Sequence, residues 1–186
     1  MKKVVKLAAL GAALTIAGGV QAADPVRIGA VVSQTGPAAF LGEPAAITLK
    51  HYVERLNEAG GLLGRPVELI IYDDASDANT ARTYATRLVE DDGVSAVIGT
   101  STTGATLAMV SVFDDAEVPL ISLAAGIQIV EPVNPYVFKT PHTDRMVCER
   151  VMIEFNERGF DQVALMTGTG GVGKSVRKEC TEQGEK

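Results

Sequence analysis

The chain has 186 residues, 46% of them apolar and 22% charged, a balance that belongs to a globular protein and excludes a disordered or fibrous one. Its formal charge of −6 repels phosphate backbones and anionic lipid, so neither nucleic acid nor a membrane surface is an expected partner. Two cysteines, Cys148 and Cys180, make no disulfide framework and show no C-x-x-C spacing for zinc or redox work, which leaves the hydrophobic core to carry the fold.

The first 22 residues read as a secretory signal peptide: Lys2, Lys3 and Lys6 precede a short apolar run from Leu7 to Val20, and Val20-Gln21-Ala22 places small residues for cleavage after Ala22. The run falls short of the ~20 apolar residues a bilayer span needs. No cysteine follows it, so no lipid anchor is expected on the exported product. Loss of the three lysines takes the net charge to −9, and in a bacterium with two membranes the destination is the periplasm.

From Val26 onward, β-branched runs alternate with amphipathic helices, the pattern of an α/β fold whose parallel sheet is covered on both faces. Val26 to Val32 is the first expected strand. The helix after it carries Leu49, Tyr52, Val53 and Leu56 at helical spacing and stops at Gly60-Gly61. Val67 to Tyr72 is the second strand, and Asp77 caps a helix with Ala81, Tyr84, Ala85 and Leu88 on one face, ended by Gly93. Ala96 to Ile98 is the third strand and opens into Gly99 to Gly104. The next helix buries Ala105, Ala108, Met109, Val112 and Ala116, followed by strands at Pro119 to Leu123 and Tyr136 to Lys139.

Pro132, Pro135 and Pro141 then break the alternation, which places a crossing between two lobes near residues 140 to 144. The expected organisation is a signal peptide at 1–22, a ligand-binding lobe at 23–140 and the start of a second lobe at 141–186. That second unit opens with a helix capped by Thr143 or Asp144, with Cys148, Val151, Met152 and Phe155 on one stripe. A buried strand at Gln162 to Met166, a glycine loop and a further helix complete it. So little of a second lobe reads as an incomplete unit, and the chain as a fragment.

Ligands of open parallel sheets bind beyond the carboxyl ends of the strands. Four segments are expected there: Ser33 to Gly42, Asp73 to Asp77, Gly99 to Gly104 and Ser122 to Gly126. The third reads Gly-Thr-Ser-Thr-Thr-Gly and runs directly into a helix, so hydroxyls and free N–H groups converge where the helix dipole favours an anion such as a carboxylate. The plainer reading of Thr102 or Thr103 is an N-cap alone. The loop Gly36 to Gly42, with Leu41, offers an apolar wall or an ordinary packed loop.

Ser33-Gln34-Thr35-Gly36-Pro37, Gly60-Gly61, Tyr72 to Asp77, Val97-Ile98-Gly99 and Pro119-Leu120-Ile121-Ser122 occur in this order. The set resembles the type I periplasmic solute-binding proteins of ABC transporters, and within them the branched-chain amino acid receptors, over essentially all of Val26 to Lys186. The resemblance implies a two-lobe, Rossmann-like receptor that closes on a small ligand and delivers it to an inner-membrane permease. It implies a monomer that binds without catalysis or cofactor, and a solute that is an amino acid or a related organic acid. By the same resemblance Thr102 and Thr103 meet the ligand carboxylate, Ala124 offers a carbonyl to an ammonium, Gly126 offers its N–H, and Leu41, Ala125 and Val172 line the pocket. Three positions depart from the pattern: the amino acid receptors often carry a hydroxyl where Gly126 stands, an aromatic ring where Leu41 stands and a tyrosine where Val172 stands. These departures point to a different or bulkier solute. The acidic residue that pairs an ammonium in such receptors falls beyond Lys186.

Other motifs carry weaker readings. Gly168 to Ser175 satisfies the phosphate-loop pattern G-x-x-x-x-G-K-[ST], in which Lys174 supplies charge and Ser175 holds magnesium, and so offers a nucleotide-binding enzyme as the alternative function. An exported chain meets little nucleotide, and in the receptor reading the same glycines bring the second lobe's backbone close to the ligand. Ser101 lacks a histidine placed to activate it, His51 and His142 lack metal-ligand spacing, and Asp73, Asp74 and Asp77 lack the rest of a calcium loop. Cys148 and Cys180 each sit on an apolar helical stripe, where buried small hydrophobes are the default, and an oxidising compartment also permits a bond between them.

Overall fold

Residues 24–185 are described by a computed structural model. The expected leader and its cleavage after Ala22 lie outside them. Five strands form one parallel sheet: β1 (Val26–Val32), β2 (Val67–Asp73), β3 (Ala96–Gly99), β4 (Leu120–Ser122) and β5 (Val137–Lys139), in the spatial order β2-β1-β3-β4-β5. The helices between them are α1 (Ala39–Glu58), α2 (Ala78–Glu90) and α3 (Thr103–Asp115), and a 3-10 turn at Ile127–Ile129 links β4 to β5.

The α/β alternation, the strands of this sheet and the helix caps match the expectation. Asp77 accepts from the Thr80 N–H at 2.8 Å to start α2, and Thr102 accepts from the Ala105 N–H at 3.3 Å to start α3. One face of the sheet is closed by α2 and α3. Val97, Leu120 and Val137 stand side by side in register there and pack against Leu88, Met109 and Phe113, all inside one core cluster. Phe113 belongs to this core although the expected stripe on α3 passed it over. Tyr72 joins its edge by stacking on Tyr84 at 4.5 Å between ring centres.

The other face is covered unevenly, against the expectation of two closed faces. Helix α1 packs on β1 and β2, and buries only Gly42 and Ala46 completely. Its expected apolar stripe is only partly used, with Leu49 and Val53 half-buried and Tyr52 exposed. The next row in register across the sheet, Ile98, Ile121 and Phe138, is less covered: the two isoleucines are half-buried and Phe138 is 52% exposed.

After β5 the chain turns through Pro141 into α4 (Asp144–Glu157), capped by Thr143, and ends in α5 (Gly171–Gly184), which packs against α4. Two expectations need correction here. Gln162 to Met166 is not a strand: the segment is irregular and exposed, because among the described residues no neighbouring strand takes up its backbone groups. Cys148 and Cys180 are not free hydrophobes but a disulfide that ties α4 to α5 across 32 residues.

Candidate functional site

The strand order creates the site. Because α1 leads from β1 to the neighbour on one side and α3 leads from β3 to the neighbour on the other, the loops leaving these adjacent strands diverge and open a crevice. The loop after β1 is held to β2 by Asp73, whose carboxylate accepts from the Gln34 N–H at 2.8 Å, the Thr35 N–H at 3.1 Å, the Thr35 hydroxyl at 2.7 Å and the Ala75 N–H at 2.9 Å. Partial burial pushes the Asp73 carboxyl up, but these hydrogen bonds outweigh it and hold it below the ordinary aspartate range. Its neighbour Asp74 is fully buried, and burial raises its pKa.

A cavity of about 590 Å³ fills the crevice. Of the residues singled out from sequence, the structure brings six to it: Leu41, Thr102, Thr103, Ala124, Ala125 and Val172 all line its wall. Gly126 stands behind that wall, and its N–H, expected to reach a ligand, instead donates to Thr103 Oγ1 at 3.2 Å. No residue lining the cavity is charged; Pro37, Leu41, Leu123 and Val172 make it largely apolar.

Of the hydroxyls on its wall, Ser76 donates to the Thr35 carbonyl at 2.9 Å, and the other three face one way chemically. Ser101 Oγ accepts from the Ser33 N–H at 3.3 Å, Thr102 Oγ1 caps α3, and Thr103 Oγ1 accepts from Gly126. Each hydroxyl thus has a lone pair engaged by a backbone N–H and keeps its own proton to donate. Two helix N-termini meet beside them. Gly104, in the first turn of α3, and Gly170 and Gly171, which open α5, line the same cavity, so the positive ends of a 13-residue and a 14-residue helix converge on it. The approach is close enough to require glycine, since a Cβ at Gly171 would lie 2.8 Å from the Gly104 nitrogen. Neutral donors and two helix dipoles in an apolar surround suit an anion with an uncharged body.

Support for this arrangement comes from residues that sequence reasoning missed. Thr106, fully buried on α3, shares its hydroxyl with the Thr102 carbonyl at 3.0 Å, Ser122 Oγ at 3.1 Å and Thr100 Oγ1 at 3.3 Å, joining three segments beneath the cavity. A polar residue among the buried positions of an otherwise apolar helix face was the available signal. The geometry gives the phosphate-loop reading no support: among the described residues no strand precedes the glycine loop, and Ser175 is buried with its hydroxyl donating to Gln128 Oε1 at 2.8 Å.

Comparison with known proteins agrees with this description. A family model described as "Periplasmic binding protein" matches residues 25–186. The Leu/Ile/Val-binding protein homolog 7 of Brucella suis is 33% identical over 138 residues, covering 70% of this chain and 34% of that protein. The leucine-, isoleucine-, valine-, threonine- and alanine-binding protein of Pseudomonas aeruginosa is 33% identical over 145 residues, 76% of this chain and 39% of that protein. An ABC transporter solute-binding protein of Rhodopseudomonas palustris BisB5, solved with 3,4-dihydroxybenzoic acid, superposes with a TM-score of 0.78 at 26% identity over 87% of this chain and 44% of that one. The chain therefore spans between a third and a half of the length of the relatives it matches. A parallel sheet with its crevice at the switch point, matched over nearly the whole described length, places this chain in the periplasmic binding protein family.

Proposed function

We propose that this chain is the ligand-binding part of an exported solute receptor serving an ABC importer. It takes a small carboxylate, an amino acid or a related organic acid, and hands it to a membrane permease without chemical change. The observation that carries the reading is the cavity at the switch point, where three hydroxyl donors and two helix N-termini converge in an apolar, uncharged surround. The names of the relatives support the two ends of the solute range, branched-chain amino acids in one and an aromatic acid in another. The apolar lining without an aromatic ring leaves room for a bulkier body than an aliphatic side chain. Export to the periplasm is supported by the Cys148–Cys180 disulfide, a bond that persists in oxidising compartments and is rare in the cytosol.

The test is the thermal midpoint of the purified chain with L-leucine, with 3,4-dihydroxybenzoate and with ATP plus magnesium. A ligand bound only by the folded form raises that midpoint by mass action. We expect a rise with at least one carboxylate and none with ATP. A rise with ATP alone, or no rise with either carboxylate, overturns the proposal.

A further inference from the structure

The turn from β2 to α2 is held in a conformation that its residues do not favour. Ala75 and Ser76 have φ of 50° and 64°, in the left-handed region that non-glycine residues seldom occupy, and neither is an asparagine or aspartate that tolerates it. Two carboxylates keep them there: Asp73 accepts from the Ala75 N–H at 2.9 Å, and the fully buried Asp74 accepts from the Ser76 N–H at 2.8 Å. The outcome is the placement of one hydroxyl. Ser76 Oγ donates to the Thr35 carbonyl and accepts from the Ala38 N–H, each at 2.9 Å, and so grips both sides of the Gly36-Pro37 tip of the loop after β1. That tip lies so near the turn that a Cβ at Gly36 would strike the Ala75 carbonyl oxygen. Helix α1 starts at this grip without a cap of its own, since Ala38 stands at its N-cap and has no side chain to accept a hydrogen bond. Pro37, Ala38 and Leu41, which follow the grip, all line the cavity.

We infer that Ser76 is a positioning residue that fixes the apolar wall of the cavity, and through it the affinity for the body of the solute, an inference that rests on the function proposed above. Backbone strain persists where the surrounding structure over-determines it, and it gathers where a site needs a group held in one place. Here the left-handed pair turns the serine hydroxyl onto the neighbouring loop, and the hydroxyl supplies from β2 the contact that the start of α1 lacks. Leu41 lies in the first turn of α1, so the wall it forms goes wherever Ala38 is held. Ser76 acts through that wall: its proton goes to Thr35, and its oxygen takes the Ala38 N–H.

Three variants separate the strain from the hydroxyl: Ala75→Gly, Ser76→Gly and Ser76→Ala. Each is compared with the unaltered chain by thermal midpoint, by hydrogen exchange at the Ala38 and Leu41 amides, and by calorimetric titration with 3,4-dihydroxybenzoate and L-leucine. Glycine relieves a left-handed position. Ala75→Gly is therefore expected to raise the midpoint and leave exchange and affinity unchanged, and Ser76→Gly to melt above Ser76→Ala. The two serine variants lose the same hydroxyl. Both are expected to exchange the two amides faster and to bind the carboxylate about tenfold more weakly, to the same extent, whatever their midpoints. Affinity that follows the midpoint across the set and not the hydroxyl, or exchange at Ala38 no faster in either serine variant, overturns the inference. If the unaltered chain binds neither acid, the functional reading fails instead. The hold of Ser76 on the wall is then decided by exchange alone: faster exchange in both serine variants supports it, and unchanged exchange refutes it.

Discussion

Asp73 shows how one side chain sets the shape of the cavity from its rim. Four donors converge on its carboxylate, three of them from Gln34 and Thr35, and that segment leads through Ala38 into the wall at Leu41. Hydrogen bonds to the charged form lower its pKa in the folded chain, so its contribution to stability is present above the ordinary aspartate value and is lost as pH falls through the lower folded value. Asp73→Asn keeps the shape and removes the charge. We expect it to cost about 1 kcal/mol at pH 7, allowing for screening of a part-exposed group, and the gap to the unaltered chain to close below about pH 4. Urea unfolding at pH 7 and at pH 3 measures both. Asp74 acts in the opposite sense: burial raises its pKa, so its charge is a cost that disappears on acidification.

Among elements, the regular ones were legible because they rest on local signals. Apolar spacing, the Asp77 and Thr102 caps and the glycine stops mark strands and helices without reference to anything distant. What depends on distant partners was not legible. Gln162 to Met166 has the composition of a strand, yet a strand exists only where another accepts its hydrogen bonds, and here none does among the described residues. Gly126 and Thr103 are 23 positions apart, and no spacing rule announces that the N–H of one serves the hydroxyl of the other. The Cys148–Cys180 bond is likewise a tertiary fact, and it is central to the α4–α5 pair, which has no strand of its own among the described residues. Replacing both cysteines by alanine is expected to cost about 3 kcal/mol by freeing the unfolded chain. Reductant should lower the unfolding midpoint of the unaltered chain by a matching amount and leave the double variant unmoved.

At the scale of the whole molecule, one arginine connects the sheet-bearing part to the terminal helix pair. Arg145 of α4 donates to Glu179 of α5 at 2.7 Å and to Glu131, on the connection from β4, at 3.0 Å. These carboxylates hold its proton more firmly than an isolated guanidinium would. Glu179 is fully buried, so removing Arg145 strands a charge out of water, whereas removing both leaves an apolar contact. Arg145→Met should therefore lower the urea midpoint, and adding Glu179→Met should recover most of the loss. A double variant weaker than Arg145→Met would show that the fork, and not the stranded charge, holds the two parts together.

The uneven cover of the sheet means that opening does not cost the same everywhere. Strands β3 and β4 are pinned by Met109 and Phe113 and share the fate of the entire core, while α1 keeps only Gly42 and Ala46 fully out of water. Local unfolding begins where least apolar surface is lost to solvent, so of the three helices that cover the sheet α1 is the one expected to let go first. Leu41 lies in its first turn and on the cavity wall at once. Breathing of this one helix is thus also a transient widening of the cavity mouth, so the most loosely seated helix on the sheet doubles as a door for the proposed solute.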